Sequence, residues 1–282
     1  MTDQISIQGG QAVLTTNEGQ AIERPESELV EMIRKEILPP LNGVALPDGV
    51  KFLEWKEPIL VIVHQMPPHV RRLQWIAKDS PEGFGPGTQY RKVRISVPYA
   101  ITFSVFYAKG DRLCLTGANE LYFRNAPLKS KADDLGFPAL LNISQIKRKR
   151  AHAWICTQYL ERKLDKSWSD QLEALLGHTW NGAFNRSSEF HEGASWYSAS
   201  KGVHPDLHPI EKWEEATERK EAFALSVKWI PASLNVGEMI DAILNGGHLP
   251  IKASMTTAAS ARKGKSASLV GRFMNFVQRM KG

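Results

Sequence analysis

Short runs of alternating or of continuous apolar residues follow one another across residues 50–115, as they do in β-strands that bury one face or both. Turn-forming segments separate the runs, among them Pro47-Asp48-Gly49 and Lys109-Gly110-Asp111. Strands joined by short turns pair antiparallel, so we predict an antiparallel β-meander of four or five strands. The strand-like runs from which it is built cover residues 50–55, 59–64, 70–77, 90–96, 101–108 and 112–115.

Apolar residues spaced three and four apart predict helices on both sides of the meander. Before it, the stripe Leu29, Met32, Ile33 and Ile37 ends at Pro39-Pro40. After it, the predicted helices open at a capping-box-like Ser167, run through residues 210–224, and follow Asn235 as far as Leu244. Residues 151–164 are assigned to this helical half, although no clean stripe runs through them.

The predicted fold class is therefore α+β: an N-terminal helix, an antiparallel β-meander and C-terminal helices packed on the sheet. We expect a flexible N-terminus over residues 1–24 and one α+β domain over residues 25–250. Beyond it, the Ala-, Ser-, Thr- and Lys-rich composition predicts a mobile basic linker over residues 251–267. The apolar and basic pattern of residues 268–282 predicts an amphipathic basic helix.

Charge is concentrated at the C-terminal end of the chain. Seven of the 36 basic residues lie from Lys252 onward, where there is no acidic residue. The rest of the chain therefore contains 29 basic and 30 acidic residues. The near-neutral body does not favour nucleic-acid binding by the whole protein, whereas the tail can contact a polyanion locally. The run from Lys147 to Arg150 has two interpretations, a nucleic-acid contact or a solvated loop edge, and we favour the solvated edge.

The predicted terminal helix is the strongest indication of binding in the sequence, because a basic linker followed by a short amphipathic helix is typical of docking peptides. A protein partner is the expected ligand, while nucleic acid, an anionic membrane surface and the chain's own domain stay open as alternatives. The sequence does not predict the oligomeric state. The residues proposed for partner contact are Lys263, Lys265, Arg272, Phe273, Phe276 and Arg279.

Two cysteines, Cys114 and Cys156, are too few for a disulfide framework and fit a reducing compartment. The first residues lack the features of a signal peptide, and no apolar run approaches the length of a membrane span. We therefore expect a cytoplasmic protein without a transmembrane segment.

Histidines raise the alternative of a zinc-dependent enzyme, since His178, His191, His204 and His208 fall in one window. Pro205 and Pro209 oppose a helix that would place the last two on one face, and His191-Glu192 lacks the second histidine of a zinc-protease motif. We expect solvated loop histidines, and we predict no metal site and no cofactor. Complete serine-hydrolase and P-loop motifs are absent from the sequence.

Cys156 is the candidate nucleophile. The basic run before it would favour a thiolate if it folded close to the sulfur. A buried structural cysteine is the competing interpretation, because free cysteines are commonly buried. Whether the chain is an enzyme stays open at this point.

A set of residues in the middle of the chain follows the pattern of a known family. These residues are Pro98, Phe103, Phe106, Leu121, Tyr122, Asn125, Pro127, Leu141, Asn142, Ile143, Cys156, Trp168 and 184–188. In this pattern the chain resembles the PRTRC-associated protein B family, which is grouped with prokaryotic ubiquitin-conjugating-enzyme-like proteins, and the resemblance covers residues 27–200. In that family the cysteine follows soon after the asparagine, whereas here the basic run separates the two, and a His-Pro-Asn tripeptide is absent.

The resemblance implies a ubiquitin-conjugating-like core and a setting on a bacterial plasmid or phage. It also implies a site in which Cys156 is the nucleophile and Asn142 or Asn125 donates to the oxyanion. The leading hypothesis is thus an accessory protein that acts mainly as a protein-interaction module, with an atypical thiol site. The alternatives are a nucleic-acid- or assembly-partner-binding protein that uses the basic tail, and the zinc-dependent enzyme.

Overall fold

The computed structural model describes residues 4–8, 11–15, 21–25, 27–28, 47–56, 58–109, 112–157, 160 and 166–247. The apolar stripe of the predicted N-terminal helix, the predicted basic linker and the predicted terminal helix lie outside these residues, and so do all six tail residues proposed for partner contact. The strands are β1 Gln4–Gln8, β2 Gln11–Thr15, β3 Ala21–Pro25, β4 Val50–Lys56, β5 Ile59–Met66, β6 His69–Ile76, β7 Tyr90–Val97, β8 Tyr99–Lys109, β9 Arg112–Leu115, β10 Glu120–Arg124, β11 Gly136–Phe137, β12 Ile143–Lys147, β13 Ala151–Ile155, β14 Ala183–Phe184 and β15 Ile230–Pro231. The α-helices are α1 Trp168–Asn181, α2 Ser187–Glu192, α3 Trp196–Ala199, α4 Ile210–Arg219 and α5 Val236–Ala242.

The main sheet is an antiparallel meander in which β4, β5, β8 and β10 are neighbours in that order. β8 is its central strand: β5 pairs along one edge, and β10 and β9 divide the other edge between them. Residues 100–106 of β8 are all buried, as expected for a strand covered on both faces. The predicted α+β class with an antiparallel sheet is confirmed.

The hairpin β6–β7 leaves the meander, although the sequence pattern placed its strands in the same sheet. It forms a second sheet with β14, which pairs parallel to β6. Helix α4 covers the edge of this sheet, where the backbone N–H groups of Arg94 and Ser96 donate to Glu214 Oε1 (3.0 Å) and Thr217 Oγ1 (2.9 Å). Side-chain acceptors thus satisfy an edge that has no further strand.

A second hairpin, β12–β13, extends the main sheet beyond β10. The assignment of residues 151–155 to a helix is wrong, because they form β13, which lies between β12 and β10. Ile155 N donates to Asn119 O at 3.0 Å. His152, Ala153 and Ile155 are all buried, so this strand lacks the alternation by which a half-buried strand is recognised.

Helix ends follow the predicted capping residues. Ser167 caps α1 and Asn235 caps α5, each through a capping box in which Asp170 or Glu238 bonds back to the cap. α5 continues into a π-helical turn over Ile243–Gly247, and Gly246 there has a φ of 81°, which favours glycine. Residues 210–224, predicted as one helix, divide into α4 and a 3₁₀ turn at Phe223–Ser226.

A buried ionic network joins the β12–β13 hairpin to the meander. The Glu120 side chain is fully buried, and Arg150 donates to both of its carboxylate oxygens, at 2.9 and 2.5 Å. His152 Nδ1 and Tyr122 Oη also donate to this carboxylate, at 3.1 and 2.7 Å. The interpretation of the run Lys147 to Arg150 as a solvated edge therefore fails at Arg150, whose side chain is 9% exposed.

The network sets the charge state of Glu120. Burial alone would raise the pKa of this carboxyl, but hydrogen bonds from His152 and Arg150 and the charge of Arg150 outweigh it and lower the pKa to about 2. Because the folded-state pKa lies below the ordinary value of 4.5, the ionised carboxylate stabilises the fold above pH 4.5. That contribution is lost as the pH falls toward 2.

We predict that Arg150→Met lowers the free energy of unfolding by about 3–5 kcal/mol, because it leaves a buried carboxylate without its main partner. Arg148→Met is the matched control: Arg148 lies two residues away, is exposed, and should change stability by no more than about 0.5 kcal/mol. Urea denaturation followed by tryptophan fluorescence measures both.

If Arg150→Met does not fold, the double variant Glu120→Gln, Arg150→Met removes the stranded charge and should recover folded protein. Equal stability of the two single arginine variants would show that the network does not hold the hairpin.

Candidate functional site

A cleft with a volume of about 550 Å³ lies between the main sheet and the sheet formed by β6, β7 and β14. Its walls come from the loop before β7, the first residue of β7, the open end of the β12–β13 hairpin, the last turn of α1 and the segment from β14 to α2. Side chains able to bind or react are concentrated there: Tyr90, Asn142, Cys156, His178, Asn185 and Ser187. This volume lies in the range of small-ligand pockets.

The β12–β13 hairpin brings Asn142 and Cys156 together. Its register pairs Ile143 with Ile155, so the next residue on each strand, Asn142 and Cys156, face each other at the open end. Cys156 N donates to Asn142 O at 3.3 Å, and both residues line the cleft. Their separation in sequence is the length of the hairpin and not a distance in space.

The Asn142 side chain holds the second sheet against the hairpin. Its Nδ2 donates to Ala183 O at 2.8 Å, and its Oδ1 accepts from Asn185 N at 3.0 Å. Both ends of the amide therefore bond to the backbone around β14. Only one of its Nδ2 hydrogens is left for a ligand.

Asn125, the other asparagine proposed as an oxyanion donor, lies away from the cleft lining. Its Nδ2 donates to Val227 O at 2.8 Å, and its Oδ1 accepts from Trp229 Nε1 at 2.8 Å. It connects the end of β10 to the segment that precedes β15. The structure thus places Asn142 beside Cys156 and gives Asn125 other partners.

His178 lies in the last turn of α1 and lines the cleft next to Cys156. Its Nε2 lies 2.8 Å from Cys156 O, an acceptor, so a neutral ring carries its proton on Nε2. The zinc alternative groups this histidine with three others as ligands. Its helical position, facing the residue that follows β13, becomes visible only once α1 is packed on the sheet.

The other three histidines of that group have separate surroundings. Each packs against a different aromatic ring. The distance between ring centroids is 5.1 Å for His191 and Phe84, 5.8 Å for His204 and Trp229, and 4.2 Å for His208 and Tyr197. Within the part of the chain that the structure describes, no group of three or more His, Cys, Asp or Glu residues is placed to hold a metal ion.

The basic run lies at the opposite end of the hairpin from the thiol. Lys147 pairs with Ala151 at the turn, whereas Cys156 follows the last residue of β13. Ile155 lies four residue steps along the extended strand from Ala151, roughly 13 Å at the usual strand rise. Lys147, Arg148 and Lys149 are exposed there, so these cations do not flank the sulfur.

Aromatic side chains form the outer rim of the cleft. Phe84 lines it and packs against Phe190 of α2 with ring centroids 4.7 Å apart. Phe190 is 72% exposed, more than any other large hydrophobic side chain in the described residues. An exposed aromatic beside a cleft is the arrangement by which binding surfaces anchor a partner.

Comparison with known proteins gives no relative: no family model, curated protein or solved structure matches the chain. Among the described residues, no helix is long and apolar enough to cross a membrane. Function must therefore be inferred from the cleft itself.

We predict that Cys156 reacts with thiol reagents in the folded protein and that Cys114 does not. Cys156 is half-buried and lines the cleft, whereas Cys114 is 4% exposed within β9. Mass spectrometry after iodoacetamide treatment, on the Cys114→Ser and Cys156→Ser variants, assigns the label.

Unfolding in urea should make both thiols reactive, which serves as the control for reagent activity. Labelling of Cys114 at the rate of Cys156 without urea would contradict the burial that separates them.

Proposed function

We propose that this chain is a protein-interaction module built on a ubiquitin-conjugating-like core, whose cleft holds a segment of a partner protein beside the Cys156 thiol. The observation that carries the proposal is the meeting of Asn142 and Cys156 at the open end of one hairpin, inside one cleft. The family resemblance selects Cys156 together with Asn142 or Asn125, and Asn142 is the asparagine that lines the cleft.

The order of the elements supports the proposed core. Four antiparallel strands in sequential order, β4, β5, β8 and β10, precede the segment with the asparagine and cysteine, and helix α1 follows it. The hairpin β6–β7 and the long β12–β13 hairpin are then additions to that plan. The wider spacing between Asn142 and Cys156 is accounted for by the second of these.

The rim supports protein binding over a buried small-molecule site. Phe190 offers a large exposed apolar contact that packs against Phe84, a residue that lines the cleft. Aromatic side chains of this kind contribute strongly to protein interfaces. A partner segment that covers Phe190 would reach the thiol at the inner wall.

The family resemblance also supports an accessory role on a bacterial mobile element, a plasmid or phage. Partners are then expected among the products of adjoining genes, because interacting proteins of such elements are commonly encoded together.

We predict that a purified product of an adjoining gene binds this chain and that Phe190→Ser weakens the binding about tenfold or more, as for loss of an aromatic anchor. Val203→Ser is the matched control. Val203 is also exposed, at 56%, but it belongs to the turn after α3 and not to the Phe84–Phe190 pair, so binding should stay within about twofold. Biolayer interferometry measures all three proteins.

Alkylating Cys156 with iodoacetamide should weaken the same interaction, because the adduct occupies the cleft. Binding that survives both Phe190→Ser and alkylation would place the interface elsewhere, and no binding by any adjoining product would remove the proposal.

A second candidate is nucleic-acid binding through the basic tail. It is favoured by the seven basic residues and no acidic residue from Lys252 to the end of the chain. The exposed Lys147, Arg148 and Lys149 add a second basic segment. Phosphate contacts by such segments are independent of base sequence and weaken with salt.

We predict for this candidate that deleting residues 252–282 abolishes DNA retention seen with the full chain at low salt. Fluorescence anisotropy with a labelled duplex measures the affinity at 50 and 200 mM salt. For a contact with several phosphates, we expect the affinity of the full chain to fall about a hundredfold or more between the two salt concentrations. Retention that survives the deletion, or that does not change with salt, would contradict it.

A further inference from the structure

Most of the polar side-chain groups around the cleft are already hydrogen-bonded to other residues of the chain. The Asn142 amide bonds to the backbone at Ala183 and Asn185, and His178 Nε2 bonds to Cys156 O. Asn185 Oδ1 accepts from Ser187 N at 2.9 Å, and Asn185 Nδ2 donates to Tyr90 Oη at 3.0 Å. The side-chain amides thus build the wall of the cleft and do not point a free donor pair at a ligand.

The Tyr90 hydroxyl keeps a proton that it can donate. It accepts from Asn185 Nδ2, and no acceptor for its own proton is present in the described part of the chain. Tyr90 is half-buried at the first residue of β7, where it pairs with Ile76, so the strand fixes its backbone. The bond from Asn185 fixes the position of the oxygen.

The Ser187 hydroxyl is the second available donor. Ser187 is 5% exposed and lines the cleft, and its Oγ has no hydrogen-bond partner within the described residues. Its backbone N–H bonds to Asn185, the same residue that holds Tyr90. A buried hydroxyl without a partner is costly, which points to a ligand that supplies an acceptor.

We propose that Tyr90 and Ser187 together bind the carbonyl oxygen of an acyl group placed beside the Cys156 thiol. The two hydroxyl donors, on residues that both bond to Asn185, would then stabilise the negative charge that develops on this oxygen when the thiolate attacks. The ligand class is an acyl compound whose leaving group departs as an anion, such as an ester. The inference rests on the proposed function, because it requires Cys156 as the reacting group.

The step conserves atoms and electrons. The Cys156 thiol releases its proton to water, and the thiolate sulfur forms a bond to the carbonyl carbon. The bond between that carbon and its leaving group then breaks, and the leaving group departs with the electron pair, so that a thioester remains. Nothing is oxidised or reduced, and the charge passes transiently through the oxygen that Tyr90 and Ser187 face.

Two reagents distinguish a reaction that develops this negative charge from one that does not. p-Nitrophenyl acetate acylates a thiol through a tetrahedral intermediate with an oxyanion, whereas iodoacetamide alkylates it by displacement and develops no oxyanion. Donors to an oxyanion therefore accelerate the first reaction only. Both rates are measured on the full chain carrying Cys114→Ser, so that Cys156 is the single thiol.

We expect Tyr90→Phe and Ser187→Ala each to slow acylation by about tenfold or more, and to leave alkylation within about twofold. Tyr107→Phe and Ser226→Ala are the matched controls, because both residues are exposed and lie outside the cleft lining. These two variants should retain both rates.

A spectroscopic measurement removes the dependence on rate. The carbonyl stretch of the ¹³C-acetyl thioester on Cys156 should lie at lower frequency in the folded protein than in urea, because hydrogen bonds weaken the C=O bond. Tyr90→Phe and Ser187→Ala should raise the frequency of this carbonyl stretch in the folded protein. The control variants Tyr107→Phe and Ser226→Ala should leave it unchanged. A merely structural role of the two hydroxyls would not shift this band.

The outcomes distinguish the two proposals. One outcome is that iodoacetamide alkylates Cys156 but Tyr90→Phe and Ser187→Ala leave both the acylation rate and the carbonyl band unchanged. In that case the assignment of the two donors is wrong, and the proposed thiol site in the cleft is retained. If Cys156 of the folded chain reacts with neither reagent, the thiol site of the proposed function is wrong as well, and the donor assignment falls with it.

Discussion

The fully buried Glu120 carboxylate is the constraint on which the arrangement of the main sheet depends. A charge without water must be matched by partners of good geometry, and Arg150, His152 and Tyr122 supply them. Arg150 and His152 belong to the β12–β13 hairpin, whereas Glu120 and Tyr122 belong to β10. The hairpin can therefore dock on the meander in one register only, since a slip would leave the carboxylate unmatched.

That register determines the cleft. Fixing β13 against β10 fixes the open end of the hairpin, where Asn142 bonds to the backbone around β14 and His178 bonds to Cys156 O. Asn185 then connects this corner to Tyr90 on the second sheet. The register set by one buried carboxylate is thus carried along the hairpin to its open end. There, polar contacts join the hairpin to the sheet of β6, β7 and β14, and the cleft is the space left between them.

Local pattern sufficed for much of the fold and for little of the site. The strands over residues 50–115 follow from alternation and turns, and the caps at Ser167 and Asn235 follow from side chains that act within three residues. β13 escaped prediction because its sequence, Ala-His-Ala-Trp-Ile, has neither a sustained alternation nor a run of β-branched residues, and Arg150 because its partner lies 30 residues away. His178, Tyr90 and Ser187 meet through the packing of α1, β7 and α2, which no sequence period encodes.

The spacing between Asn142 and Cys156 shows why distance along a chain is a weak guide to a site. Residues 143–147 pair one to one with residues 155–151, so each added pair lengthens the hairpin at its turn and leaves the open end unchanged. A hairpin with fewer pairs would bring the same two residues together over a shorter sequence. The quantity that must be kept is the register at the open end, and here the Glu120 network, close to the turn, maintains it.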